Sequence, residues 1–278
     1  MAVKRLDKID LFTGGNKIFK LKYHLRRAQE AGKRSVLSFG GAYSNHLVAL
    51  AVACKQKNLR AIGIVRGEEC ANPSLDVCRS NGMELHFVSR AEYREKDSPA
   101  YLEKIARAFP DAYVVKEGGG GVDGIRGAME ILNERDQNFS YIITAVGTGT
   151  TAAGLLLGTS KMQTVIGVPV HRYRFVMDEL AAEHNDLHQV MGKYKNAWPY
   201  HFGGYAKFNT ALLDFMRGVY TQTGIKLDPV YTAKALFAAC DLFRQGMFHD
   251  EEPPLFIHTG GLQGLKGFEK RHHVKLYG

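Results

Sequence analysis

Cysteine is scarce in this chain. The 278 residues hold four, Cys54, Cys70, Cys78 and Cys240, and no two are spaced as CxxC. That excludes a disulfide framework and a thiolate metal site, and leaves free thiols as the expectation. No apolar run reaches the roughly 20 residues that cross a bilayer, so no membrane contact is expected. Glycines, not an apolar core, follow the opening MAVKRLDKID, so no signal peptide is read and a cytoplasmic protein is expected. Pro-rich linkers, low-complexity segments and internal repeats are absent as well. Negative charge is in deficit, with 28 Asp and Glu against 37 Lys and Arg, a formal net charge of +9. The cations are scattered, and their densest cluster is the C-terminal KGFEKRHHVK (266–275). A solvated tail accounts for it, and no nucleic-acid partner is expected. The positive field does suit an anionic substrate or a phosphate-bearing cofactor.

What is present is ordinary globular composition, 45% hydrophobic and 23% charged, in a length suited to one or two domains. Short apolar runs alternate with helical patterns. SVLSF (35–39), AIGIV (61–65), ELHFV (84–88), SYIITAVG (140–147), QTVIGVPV (163–170) and LFIHTGG (255–261) read as strands. NHLVALAVACKQ (45–56), YLEKIARAF (101–109), much of 178–195 and 210–223 read as helices, and a small-residue helix starts at TGTTAAGLLLG. Strands separated by helices predict βαβ units and parallel sheets, an α/β fold. Such sheets bind ligands at the carboxyl ends of their strands, and SFGGAYSNH, VKEGGGG, AVGTGTTAAG and IHTGG fall at or near those ends.

Each turn has a bland and a chemical reading. GTGTTAAG (147–154) follows a strand and opens a helix. It fits a plain N-cap with close packing, or a cradle of amides and hydroxyls for a phosphate. Ser44 and Asn45 fit an N-cap, or a carboxylate site at a helix N-terminus. EGGGGVDG (117–124) predicts a tight or mobile turn with no ligand readable from its own residues. Lys17, behind Gly-Gly-Asn, is a surface charge or a lysine that bonds the aldehyde of pyridoxal phosphate.

GGNKIFKL, GGAYSNH, VGTGTTAAG, GGYAKF, LDPVYTAK and IHTGG together span residues 14–261. In this order they resemble the family of 1-aminocyclopropane-1-carboxylate (ACC) deaminase and D-cysteine desulfhydrase, pyridoxal-phosphate enzymes of the tryptophan-synthase-β fold type. The resemblance implies two open-sheet α/β domains with the cofactor in the cleft, a small one over 23–135 and a large one over 1–22 and 136–278. It implies that Lys17 carries the cofactor, with Lys20 close by. Ser44 matches the active-site serine. Asn45 matches the residue beside the cofactor ring's oxygen and, with Ser44 and His46, holds the substrate carboxylate. Gly147, Thr148, Gly149, Thr150 and Thr151 match the phosphate cup, and Tyr205 and Tyr231 match two active-site tyrosines. Family members act on small amino acids and are homodimers, so a homodimer is implied here.

Two positions separate the family's activities. The residue after DPVY is Glu in ACC deaminases and is Thr232 here. The residue after the late histidine is Leu there and is Thr259 here. Glu beside the ring nitrogen would hold it protonated, whereas a threonine hydroxyl only hydrogen-bonds, which weakens the electron sink. The expectation is therefore β-elimination from a D-amino acid, with ACC deamination or a cofactor-binding protein of little turnover as the alternatives. Departures from the family pattern include a shorter stretch ahead of Lys17, and Ala206 and Ala233 where glycines are usual. Each alanine adds a methyl expected to narrow the site.

Overall fold

A computed structural model of the chain describes residues 1–9, 15–248 and 253–277. Gly14, which opens the first motif, lies outside the described residues. Nine strands are described: β1 Ala2–Arg5, β2 Ser35–Gly41, β3 Arg60–Arg66, β4 Glu84–Val88, β5 Ala112–Val115, β6 Tyr141–Val146, β7 Thr164–Pro169, β8 Tyr194–Asn196 and β9 Pro254–His258. The helices are α1 Asn16–Glu30, α2 Asn45–Gln56, α3 Pro73–Ser80, α4 Arg90–Arg94, α5 Pro99–Ala108, α6 Val122–Met129, α7 Thr150–Gly158, α8 Val176–Glu183, α9 Asn185–Val190, α10 Thr210–Thr223, α11 Thr232–Arg244 and α12 Leu265–His272.

The strands form two parallel sheets, ordered β1-β9-β6-β7-β8 and β4-β3-β2-β5. The fold is thus a pair of α/β domains. The central strands are buried on both faces, as parallel strands covered by helices must be. Successive residues of β6 show this directly. Ile142 and Val146 enter one core, and Ile143 and Ala145 enter the core on the opposite face. In the smaller sheet Val36 and Leu37 divide in the same way. Period-two alternation into two apolar layers makes a doubly wound sheet.

Two segments differ from the sequence expectation. The helical reading of 178–195 ends early, because Tyr194–Asn196 pairs with β7 as an edge strand. Helix α6, in the glycine-rich stretch, has no sequence signal, since glycine disfavours helix interiors. Glycine is needed there because α6 presses against α1: a β-carbon on Gly127 would overlap the carbonyl of Phe19. Ile125 and Ala128 of α6 join the core of the larger sheet although they fall within 23–135.

Candidate active site

The four glycine turns leave the carboxyl ends of β2, β5, β6 and β9, and their residues approach one another and the start of α1. Helix α1 begins at this point. Its first turn is pinned on three sides. The Gly15 amide donates to the Leu6 carbonyl at 3.1 Å, and the Asn16 amide donates to the Thr259 carbonyl at 3.1 Å. The Asn16 side-chain amide donates to the Thr151 hydroxyl at 2.7 Å, and its carbonyl oxygen accepts from the Lys17 ammonium at 3.0 Å. Burial lowers the Lys17 pKa to about 8, against the opposing pull of the Asp228 carboxylate. Lys20, one turn on and fully buried, lies well below its ordinary value, from burial first and the Lys17 charge second.

Helix α2 starts beside them. Ser44 caps it, its hydroxyl accepting from the Leu47 amide at 3.2 Å, so the N-cap reading of Ser44 holds in the structure. Asn45 extends toward the late glycine turn, where its amide nitrogen would lie 3.0 Å from a β-carbon on Gly261. Its buried Oδ1 has no hydrogen-bond partner. His46 is buried, with Nε2 2.8 Å from the Ser38 hydroxyl. That hydroxyl gives its one hydrogen to the Val115 carbonyl at 2.8 Å, so Nε2 carries the proton and Nδ1 presents a lone pair. Burial, reinforced by Lys17 and Lys20, keeps the ring neutral. In this tautomer Nδ1 has no hydrogen to give a carboxylate.

The Gly147–Thr151 turn joins β6 to α7. Thr150 and Thr151 are buried, and the Thr148 and Thr150 hydroxyls lie 3.3 Å apart. The Gly147 carbonyl is 3.0 Å from His171 Nε2. The four-glycine loop, unassigned by sequence, closes the other side. A β-carbon on Gly118 would lie 3.0 Å from the Thr148 hydroxyl, and one on Gly119 would lie 3.2 Å from the Lys20 β-carbon. The first-turn amides of α7 have no partners within the helix, and together with α1 and α2 three positive helix ends face one place.

Asp228 is the residue that sequence reasoning missed. Its buried carboxylate accepts from the amides of Val230, Tyr231 and Thr232 at 2.9, 2.8 and 2.9 Å, and from the Thr232 hydroxyl at 2.8 Å. The only signal is Asp-Pro just before a helix, an N-capping pattern. Burial raises its pKa, and these donors oppose the rise. The Thr232 hydroxyl also accepts from the Asp228 amide at 2.7 Å, so its hydrogen and a lone pair are used within this turn. The expected partner of the Thr232 hydroxyl is a ring nitrogen; in the structure its hydrogen goes to the Asp228 carboxylate. Tyr231 lies along Gly147, and its hydroxyl is 3.5 Å from that of the exposed Tyr205. Burial raises the Tyr231 pKa well above normal. Thr259 is buried, with its carbonyl facing α1. Ala206 has a left-handed φ of 54°, the conformation for which a glycine is usual.

The donor set suits an aldehyde that bears a phosphate. Hydroxyls and helix amides answer the phosphate, a lysine of lowered basicity answers the aldehyde, and the unpartnered Asn45 Oδ1 awaits a polar group. Among the described residues no His, Cys, Asp and Glu cluster could hold a metal. The family described as pyridoxal-phosphate dependent enzyme matches residues 3–260. The chain belongs to this family. Its cofactor is pyridoxal phosphate. A Pyrococcus horikoshii protein provisionally named ACC deaminase is 35% identical to this enzyme, over 94% of the chain and 84% of its own length. The mitochondrial bifunctional D-cysteine desulfhydrase/ACC deaminase of Arabidopsis thaliana is 30% identical, over 95% and 72%. A crystal structure of an ACC deaminase homologue superposes with a TM-score of 0.83 at 30% identity, covering 97% of this chain and 86% of that one. Maize serine racemase, at 15% identity and a TM-score of 0.65, shares the fold. This pyridoxal-phosphate enzyme is a lyase of the ACC deaminase and D-cysteine desulfhydrase type.

Proposed function

We propose that the enzyme removes the β-thiol of D-cysteine, so that D-cysteine and water give pyruvate, hydrogen sulfide and ammonia. The observation that carries this reading is the uncharged Thr232, tied to Asp228, at the position where ACC deaminases place a glutamate. Without a second carboxylate there, the electron sink is weaker, which suits expulsion of a good leaving group over opening of a carbon ring. The buried threonine at 259 agrees with the same branch. Other D-amino acids with a β leaving group fall within this class.

The placement of the residues supports a set of roles. Lys17 would hold the cofactor by its aldehyde, and its lowered pKa leaves part of the amine neutral near pH 7. The Lys17 amine would take the α-proton, with the Ser44 hydroxyl the other candidate base. When bound, the cofactor supplies the sink for the electron pair left on the α-carbon. The Thr148, Thr150 and Thr151 segment and the α7 amides hold its phosphate, with Lys20 alongside. Ser44 and Asn45 hold the substrate carboxylate at the positive end of α2. Tyr231 walls the site at Gly147, and Tyr205, beside it, gives a proton to the departing sulfur.

ACC ring opening is the second reading; the Pyrococcus horikoshii relative carries that name alone, and the Arabidopsis thaliana relative carries both. One experiment separates the two: the purified enzyme, supplied with pyridoxal phosphate, is given D-cysteine and ACC side by side. Equimolar sulfide and pyruvate from D-cysteine, with no 2-oxobutyrate from ACC, is the expected result. Turnover of ACC at a comparable rate would overturn it.

A further inference from the structure

Lys234 is another buried lysine of lowered basicity, and no step above uses it. It lies on the first turn of α11, three residues after Tyr231, and is fully buried. Its ammonium donates to three backbone carbonyls, those of Gly204 at 2.7 Å, His201 at 2.9 Å and Val170 at 3.3 Å. A lysine has three donors, and all three are met. Burial brings its pKa down to about 8, with the Asp228 carboxylate pulling the other way.

Two of the three carbonyls belong to the turn before Tyr205, and the third lies at the carboxyl end of a sheet strand. Val170 follows β7, and His201 and Gly204 bracket the turn that presents the tyrosine. That turn is strained. Phe202, Gly203, Gly204 and Ala206 have φ of 52°, 87°, 115° and 54°, so two residues with side chains stand in the left-handed region. Such residues cost roughly 1–2 kcal/mol each and persist where surrounding ties over-determine them. The local ties are the Gly204 amide to the His201 carbonyl, the Lys207 amide to the Gly204 carbonyl, and the Gly203 amide to His201 Nδ1. The exposed Arg172 adds one bond, to the Gly203 carbonyl at 3.1 Å. Lys234 supplies the bonds that reach the turn from the protein interior.

We propose that Lys234 is a positioning residue, fastening the 201–204 turn to α11 so that Tyr205 stands beside Tyr231. One helical turn then sets both tyrosines, Tyr231 by adjacency in the chain and Tyr205 through the ammonium. The catalytic consequence rests on the reading that Tyr205 serves β-elimination; the ordering of the turn does not.

The test has two arms. Lys234→Met keeps the apolar shaft and removes the three donors. In cofactor-free protein, amide hydrogen exchange is followed in the peptide covering 199–208. Exchange at least tenfold faster there, unchanged in the sheets and partly restored by Lys234→Arg, is the expected result. Wild-type exchange in this peptide overturns the proposal whatever the activity. If Lys234→Met fails to fold, Lys234→Gln, which keeps one amide donor group, gives an intermediate rise, and no rise is again fatal. In the loaded enzyme, kcat on D-cysteine is compared for Lys234→Met, Tyr205→Phe and the double variant. A loss of more than tenfold in Lys234→Met, with the double variant no slower than the slower single, is expected. Losses that multiply would mean Lys234 does not act through Tyr205. An enzyme silent on D-cysteine defeats the functional reading and leaves the exchange result to decide the positioning role.

Discussion

The backbone carbonyl of Thr259 fills the space that a β-carbon on Gly15 would need, and the same carbonyl accepts the Asn16 amide. The glycine ahead of Lys17 is therefore a contact point between the start of α1 and the end of β9. Its φ of 86° adds a second reason for glycine. Gly15→Ala must push α1 away from β9 and shift Lys17 with it. Strain alone predicts a loss of about 1–3 kcal/mol in unfolding free energy. Denaturant unfolding should show that loss, and cofactor absorbance after dialysis should fall with it.

The Lys17 amine should react with the cofactor's aldehyde in its neutral form. A pKa of about 8 leaves a useful neutral fraction near pH 7, where an ordinary lysine has almost none. The rate of cofactor capture by cofactor-free enzyme should rise with pH to a midpoint near 8. Asp228 favours the ammonium, so Asp228→Asn should move that midpoint to lower pH. A stopped-flow pH series on both proteins checks the sign.

The Thr232 hydroxyl both donates to the Asp228 carboxylate and accepts from the Asp228 amide. Thr232→Val leaves two buried polar groups short of partners. The expected loss is about 1–3 kcal/mol of stability. Thr232→Ser, which keeps the hydroxyl, should recover most of it in the same denaturation series.

Ala206 tests the strain in the Tyr205 turn. In ordinary backbone an Ala→Gly change destabilises, because the unfolded chain gains freedom. At a φ of 54° the released strain offsets that loss. Ala206→Gly should be neutral or stabilising by up to about 1 kcal/mol. A thermal melt with a clearly lower Tm would contradict the backbone assignment.

Much of this was legible in the sequence wherever the signal is local. The run from Asn45 to Gln56 shows its helix by apolar content and by the Ser-Asn start, and β4 and α10 coincide with their predicted limits. The Gly-Thr turn at 147–151 is readable because its residues are contiguous at a strand end. Other features depend on residues far apart in the chain. Asn16 meets Thr151 across 135 positions, a bond that no local pattern shows. Lys234 reads as one more cation on a helix until the 201–204 turn is laid over it. Asp228 reads as an N-cap, and only the fold brings its charge near Lys17 and Lys234. Helix α6 was invisible because its glycines, which disfavour a helix, are required by the backbones packed against it.

The central claim is that Lys17 is the residue that bonds the cofactor. Borohydride reduction of the loaded enzyme, followed by proteolysis and mass spectrometry, tests it most directly. The account predicts the reduced cofactor on the peptide containing Lys17, and its disappearance in Lys17→Ala. A label on Lys20, Lys234 or any other lysine, with Lys17 unmodified, would contradict it.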